Sequence, residues 1–119
     1  MEPTIGIFKH SPDFKTVKPG EIVFREGDPG DLMYVILSGE IEITFRGKTV
    51  ETLKEGQIFG ELALVDDRPR SATATAKSDA RIVPVDEKRF TFLVEETPYF
   101  AVQVMRIMAA RIRMMLALV

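Results

Sequence analysis

The chain changes its hydrophobic period near Asp86. Ahead of that point apolar residues fall in short runs, punctuated about every eight to twelve residues, the rhythm of an all-β barrel, roll or sandwich. The punctuation is Pro19-Gly20, Asp28-Pro29-Gly30, Ser38-Gly39, Arg46-Gly47 and Glu55-Gly56, all built from residues that favour turns. Met33 to Leu37 is an unbroken apolar run, as suits a buried strand. Ile41, Ile43 and Phe45 alternate with Glu42, Thr44 and Arg46, which predicts a half-buried strand, and Thr49 to Leu53 is its hairpin return. Ser71 to Ala76 alternates hydroxyl with alanine, and Arg81 to Val85 supplies a further strand.

After Asp86 the period is helical. Asp86 is the expected N-cap of a short helix over Glu87 to Glu95. Thr97-Pro98 then sets a capping hydroxyl ahead of a proline at the first helical position. No glycine or proline interrupts beyond it, so a helix of about 20 residues follows. One stripe on it, Ala101, Met105, Met108, Ile112, Met115 and Val119, has the spacing of a two-helix seam. A second stripe, Val104, Ile107, Met114 and Leu118, is placed to cover the roll. Arg106 and Arg113 share one face, expected in solvent. The expected organisation is an N-terminal segment (1–13), an antiparallel, jelly-roll-like β-roll (14–86) and C-terminal helices (87–119). The fold class is mainly β with C-terminal helices, α+β overall.

Composition narrows the chemistry. With 45% apolar and 29% charged residues, the 119-residue chain has enough core for one domain without a disulfide or metal. It has no cysteine, and His10 is its one histidine. That excludes a disulfide framework, an iron–sulfur cluster, a thiolate zinc site, a cysteine nucleophile and a multi-histidine metal centre. Asp66 and Asp67 have no third oxygen ligand in register, so no metal and no cofactor are expected. The expectation is binding rather than catalysis. A jelly-roll oxygenase or isomerase would need clustered histidines.

Sixteen basic residues against eighteen acidic ones give a net charge of −2, without the basic excess or stripe of a nucleic-acid binder. Tyr99 to Val119 is long enough to cross a bilayer, but Arg106, Arg111 and Arg113 would be costly at membrane depth. No N-terminal run joins a basic stretch to an apolar one, so no signal peptide is expected. A cytoplasmic chain without a membrane span is the expectation.

The candidate chemistry lies between the two halves. Gly60 ends a strand and lets the backbone approach a ligand closely. Glu61 to Leu64 suits one short helical turn whose free amides point back toward Gly60, a ready anion site. Arg70, held by Pro69, brings a guanidinium fork to the same place, and Glu61 adds an acceptor beside it. Amide donors, one arginine and one carboxylate suit a singly charged phosphate attached to a sugar hydroxyl.

Gly60-Glu61-Leu62-Ala63-Leu64, a short spacer and Pro69-Arg70-Ser71-Ala72-Thr73 closely resemble the phosphate-binding cassette of cyclic nucleotide-binding domains. These are modules of the catabolite-activator proteins, cyclic-nucleotide-gated channels and cyclic-nucleotide-dependent kinases. Pro19 to Asp28 and Tyr34 to Glu40 also look like that family's β-roll, and the resemblance covers nearly all of residues 14 to 118. It implies that Glu61 accepts from the ribose 2′-hydroxyl and that Arg70 pairs with the cyclic phosphate. Amides of Gly60 to Leu62, with Ala63 beside them and Ser71, would complete the oxygen contacts. Thr73 would line the pocket nearer the base.

In relatives the last helix acts as a lid and supplies base contacts, for which catabolite activators use hydroxyl residues. Here Met115 and Leu118 offer apolar contacts instead. The resemblance favours cAMP, while Ser71 beside Arg70 keeps cGMP open. Members that have lost nucleotide binding typically lack the arginine, which this chain retains. The alternative is a scaffold or dimerisation domain that keeps the fold and binds nothing.

At Val119, where catabolite activators continue into a helix-turn-helix, the sequence stops. Output is therefore expected through a homodimer at the C-terminal helix, an unidentified protein effector or an attached domain. The chain is then read as a sensor, or as the truncated sensor half of a transcription regulator or ion channel.

Overall fold

The computed structural model describes residues 5–117. Its elements are β1 (Lys15–Val17), β2 (Ile22–Phe24), β3 (Leu32–Ser38), β4 (Ile41–Phe45), β5 (Lys48–Leu53) and β6 (Ile58–Phe59). A 3-10 turn (Glu61–Leu64), β7 (Thr73–Ala76), β8 (Ala80–Asp86), α1 (Glu87–Glu96) and α2 (Pro98–Ala117) follow. The strands form two four-stranded antiparallel sheets, in the orders β1-β8-β3-β6 and β2-β7-β4-β5. Consecutive strands alternate between sheets at several points, as in a jelly roll. The mainly β roll with two C-terminal helices agrees with the sequence expectation.

The unbroken apolar run of β3 now has its reason. Met33, Val35 and Leu37 face the helices, where they meet Val83 and Val85 of β8 and Phe100, Val104 and Ile107 of α2. Tyr34 and Ile36 face the other sheet and pack with Ile41, Leu53, Phe59, Ala74, Ala76 and Ile82. A strand buried on both faces cannot alternate with polar residues. The two cores are therefore separate, with β3 and β8 as the wall between them. Ahead of β1, Ile5 and Phe8 join the helix-side core, with Phe8 edge-on to Phe100 at 6.3 Å between ring centroids.

The β4–β5 hairpin turns through Arg46 and Gly47, whose φ angles of 51° and 80° are both positive, as a type I′ turn requires. The expected alternation of β4 holds only in part. Ile41 is buried, but the register shifts between Ile43 and Thr44, and Phe45 is 44% exposed. A bulge of this kind breaks the two-residue period beyond it. The strand expected from Ser71 begins two residues later, at Thr73.

At the helices, the Asp86 carboxylate accepts from the Arg89 amide at 2.7 Å and caps α1. On α2 the roll-facing stripe is Phe100, Val104 and Ile107, all buried, with Met114 half-buried below them. Phe100 is fully buried, so Phe100→Ala should cost about 3–5 kcal/mol. The other stripe divides. Met108 packs against the helix-side core, whereas Met105, Ile112 and Met115 are exposed. Val119 and Leu118 lie outside the described residues.

Candidate functional site

Glu61 and Arg70 are the two buried charged residues among those described. They are brought together by the end of β6 and by the short segment that leads into β7. Gly60 follows β6 with φ 75°, a left-handed conformation, and tips the chain into the 3-10 turn. A side chain there would also press on Arg70, since a Cβ would stand 2.8 Å from Arg70 Nη1. The first amides of that turn have no acceptor within it, which leaves Glu61 and Leu62 N–H groups directed back past Gly60.

Arg70 is held from several sides. Its Nη1 donates to the Gly60 carbonyl at 3.1 Å and its Nη2 to the Leu32 carbonyl at 2.7 Å. Its Cζ lies 4.0 Å from the Phe24 ring centroid, and Phe24 in turn packs on Tyr34 and Phe59. The backbone is tied as well. The Arg70 amide donates to Asp28 O and the Gly27 amide to Arg70 O, both at 2.8 Å. Among the described residues no carboxylate pairs with this guanidinium, and its Nε is buried without an acceptor. Burial holds the Arg70 pKa below the usual arginine range, against the opposing pull of Tyr34, Asp31, Asp28 and Glu61.

The remaining cassette residues are spread around this centre. Leu62 is half exposed, Ala63 half-buried and Ser71 exposed. Thr73 is half-buried, and its Oγ1 accepts from the Glu26 amide at 3.0 Å, so its hydroxyl is already engaged in holding the β2 end of the roll. Met115 is 62% exposed on the last turns of α2, and Leu118 lies outside the described residues. Asp66 and Asp67 are exposed, and no metal-holding cluster occurs among the described residues.

One participant escaped the sequence reading. Arg111 of α2 reaches the roll, where its Nη1 donates to the Glu61 carboxylate and its Nη2 to the Ile58 carbonyl. Its Nε lies 4.0 Å from Glu51 of β5. Arg111 and Glu61 side chains are 16% and 8% exposed, so the pair is largely withdrawn from water. A signal was present in the sequence. Positions 104, 107, 111 and 114 step by three and four, so Arg111 falls on the stripe that faces the roll. Arg106 and Arg113, by contrast, are exposed.

Fold and cassette together define a β-roll module built around a buried arginine that lacks a carboxylate partner among the described residues. The sequence profile of the cyclic nucleotide-binding domain matches residues 14–97. The chain belongs to that family. It is 43% identical over 82 residues to a cAMP-dependent protein kinase regulatory subunit of Yarrowia lipolytica, a match covering 67% of this chain and 22% of that protein. It is 38% identical over 71 residues to a cGMP-dependent protein kinase of Eimeria tenella, covering 60% of this chain and 7% of the kinase. Among solved structures, the catabolite activator protein of Thermus thermophilus superposes with a TM-score of 0.77 at 28% identity, covering 85% of this chain and 50% of that one. The chain thus spans about a fifth or less of the two curated relatives' length. Among the described residues no helix is long and apolar enough to cross a membrane.

Proposed function

We propose that this domain is a cyclic nucleotide sensor, with cAMP as the preferred ligand and cGMP as the competitor, acting in the cytoplasm without catalysis of its own. The observation that carries this reading is Arg70. A guanidinium 9% exposed, paired with carbonyls alone and with one N–H unsatisfied, is a buried cation short of an anion. A cyclic phosphate beside Gly60 supplies that anion and meets the free amides of the 3-10 turn.

In this reading Glu61 accepts from the ribose 2′-hydroxyl, and Gly60, Leu62, Ala63 and Ser71 surround the phosphate oxygens. Thr73 stands nearer the base, with Met115 and Leu118 as apolar lid contacts. The Glu61–Arg111 pair offers the relay. A carboxylate has acceptor sites for both a ribose hydroxyl and a guanidinium, so ligand occupancy and the seating of α2 act on one group. The exposed pair Met105 and Ile112 is the proposed output face, for a second copy of the chain or a protein effector.

The scaffold reading has one observation in its favour, since Glu61 is already paired within the chain. Calorimetric titration with cAMP, cGMP and 2′-deoxy-cAMP separates the two. Heat from a ribonucleotide, weakened in the deoxy form, supports the sensor and the role of Glu61. No heat from either ribonucleotide leaves the scaffold.

A further inference from the structure

Gly30 lies just past the turn that the Asp28 amide closes onto the Arg25 carbonyl, two residues beyond it, where the sequence marks only punctuation. A Cβ at this position would lie 2.2 Å from Arg70 Nε, 2.4 Å from Cζ and 2.7 Å from Nη2. Those atoms are the planar head of a side chain fixed by two carbonyls and an aromatic ring, and not a free tip that swings aside. Gly30 is not among the glycines with positive φ, so its backbone conformation is open to other residues. The three atoms that a Cβ there would meet first all belong to the guanidinium.

The turn cannot retreat to make room, because Gly27 and Asp28 are hydrogen-bonded to the Arg70 backbone in both directions. One stretch of chain therefore anchors residue 70 by its main chain and walls its head by the absence of a side chain. The unsatisfied Nε edge lies on that wall.

We propose that Gly30 is a positioning residue for Arg70 and thereby sets how strongly the pocket holds the cyclic phosphate. The affinity part rests on the cyclic-nucleotide reading above. A side chain at position 30 drives the guanidinium off the Gly60 and Leu32 carbonyls and out of register with the free amides. The charge then remains in the domain but no longer stands where the phosphate meets it.

The test introduces Gly30→Ala into the wild-type protein and into Arg70→Lys. Lysine reaches into the same region with a single ammonium and has no planar edge to lie on position 30. Gly30→Ala alone should weaken cAMP binding about tenfold, whereas in the Arg70→Lys background it should change affinity less than about twofold. The Arg70 Nε–H resonance of the ligand-free protein, assigned by its loss in Arg70→Lys, should shift in Gly30→Ala while the backbone amide spectrum of the β-sheets is retained.

An unmoved Nε–H resonance overturns the proposal. So does affinity equal to or tighter than wild type, or an equal loss in the lysine background. If the wild-type protein binds neither nucleotide, the sensor reading falls and the affinity claim with it. The resonance of the ligand-free protein still decides whether Gly30 positions Arg70.

Discussion

Replacing Arg111 by methionine should expose how much of the seating of α2 depends on one ion pair. Methionine keeps most of the stem and removes the charge. The Glu61 carboxylate, 8% exposed, then faces the helix with no cation, and the Ile58 carbonyl loses its donor. Breaking a fully buried pair from one side costs about 3–5 kcal/mol. Arg111 is 16% exposed and water reaches part of the site, so about 2–3 kcal/mol is the expected loss. Unfolding entropy for a chain of this length is about 0.25 kcal/mol/K, which converts that loss to a fall in Tm of about 8–12 °C.

The attribution to Glu61 is tested by a cycle with Glu61→Gln. In that background Arg111→Met strands no charge at position 61 and removes only the contact with Glu51, so its cost should drop by about 2 kcal/mol. Thermal and urea unfolding of the four proteins measure both quantities. A Tm within about 1 °C of wild type for Arg111→Met would show that Arg111 does not seat α2, and costs that simply add would remove the attribution to Glu61.

Three further outcomes follow from the same contacts. Arg70→Ala should weaken cAMP binding several hundred-fold, about 3–5 kcal/mol, and an unchanged Kd by calorimetry removes the phosphate role. Met105→Gln with Ile112→Gln should leave the fold intact by circular dichroism and lower the mass measured by light scattering from dimer to monomer. A wild-type protein already monomeric at high concentration refutes the dimer reading of that face. The Asp13 pKa is lowered from its usual 3.8 by the Ser11 hydroxyl first and the Arg89 guanidinium second. A depressed carboxylate contributes stability above its unfolded pKa and loses it as pH falls through the lower folded value. The urea midpoint of wild type should therefore exceed that of Asp13→Asn at neutral pH, and the gap should close as pH falls below 3.8 and through the lowered folded pKa. A gap that persists in acid refutes the ionic account.

The cassette was legible in the sequence because its parts are local. Gly60, Glu61, Pro69 and Arg70 lie within eleven positions, and each local preference sets its own backbone. The same holds for the Asp86 cap, the Thr97-Pro98 helix start and the Arg46-Gly47 turn, which depend on a few neighbouring residues. Phe45 and Ser71 departed from expectation where a bulge and a loop, neither visible as a pattern, shifted the chain by a residue or two.

By itself, then, the sequence determined the β-roll with its trailing helices, the cassette, and the exclusion of cysteine chemistry and of a multi-histidine metal centre. Periodicity reports that a face is covered but not what lies opposite. The stripe read from the sequence, Val104, Ile107, Met114 and Leu118, left out Arg111, and only the path of α2 across the sheet brought that residue to a carboxylate fifty positions earlier. The sequence marked Gly30 as a turn residue, and only the folded loop showed a guanidinium pressed against the place of the missing side chain. Contacts between distant segments depend on how whole elements stack, so the packed structure alone decided which polar groups meet around Glu61 and Arg70.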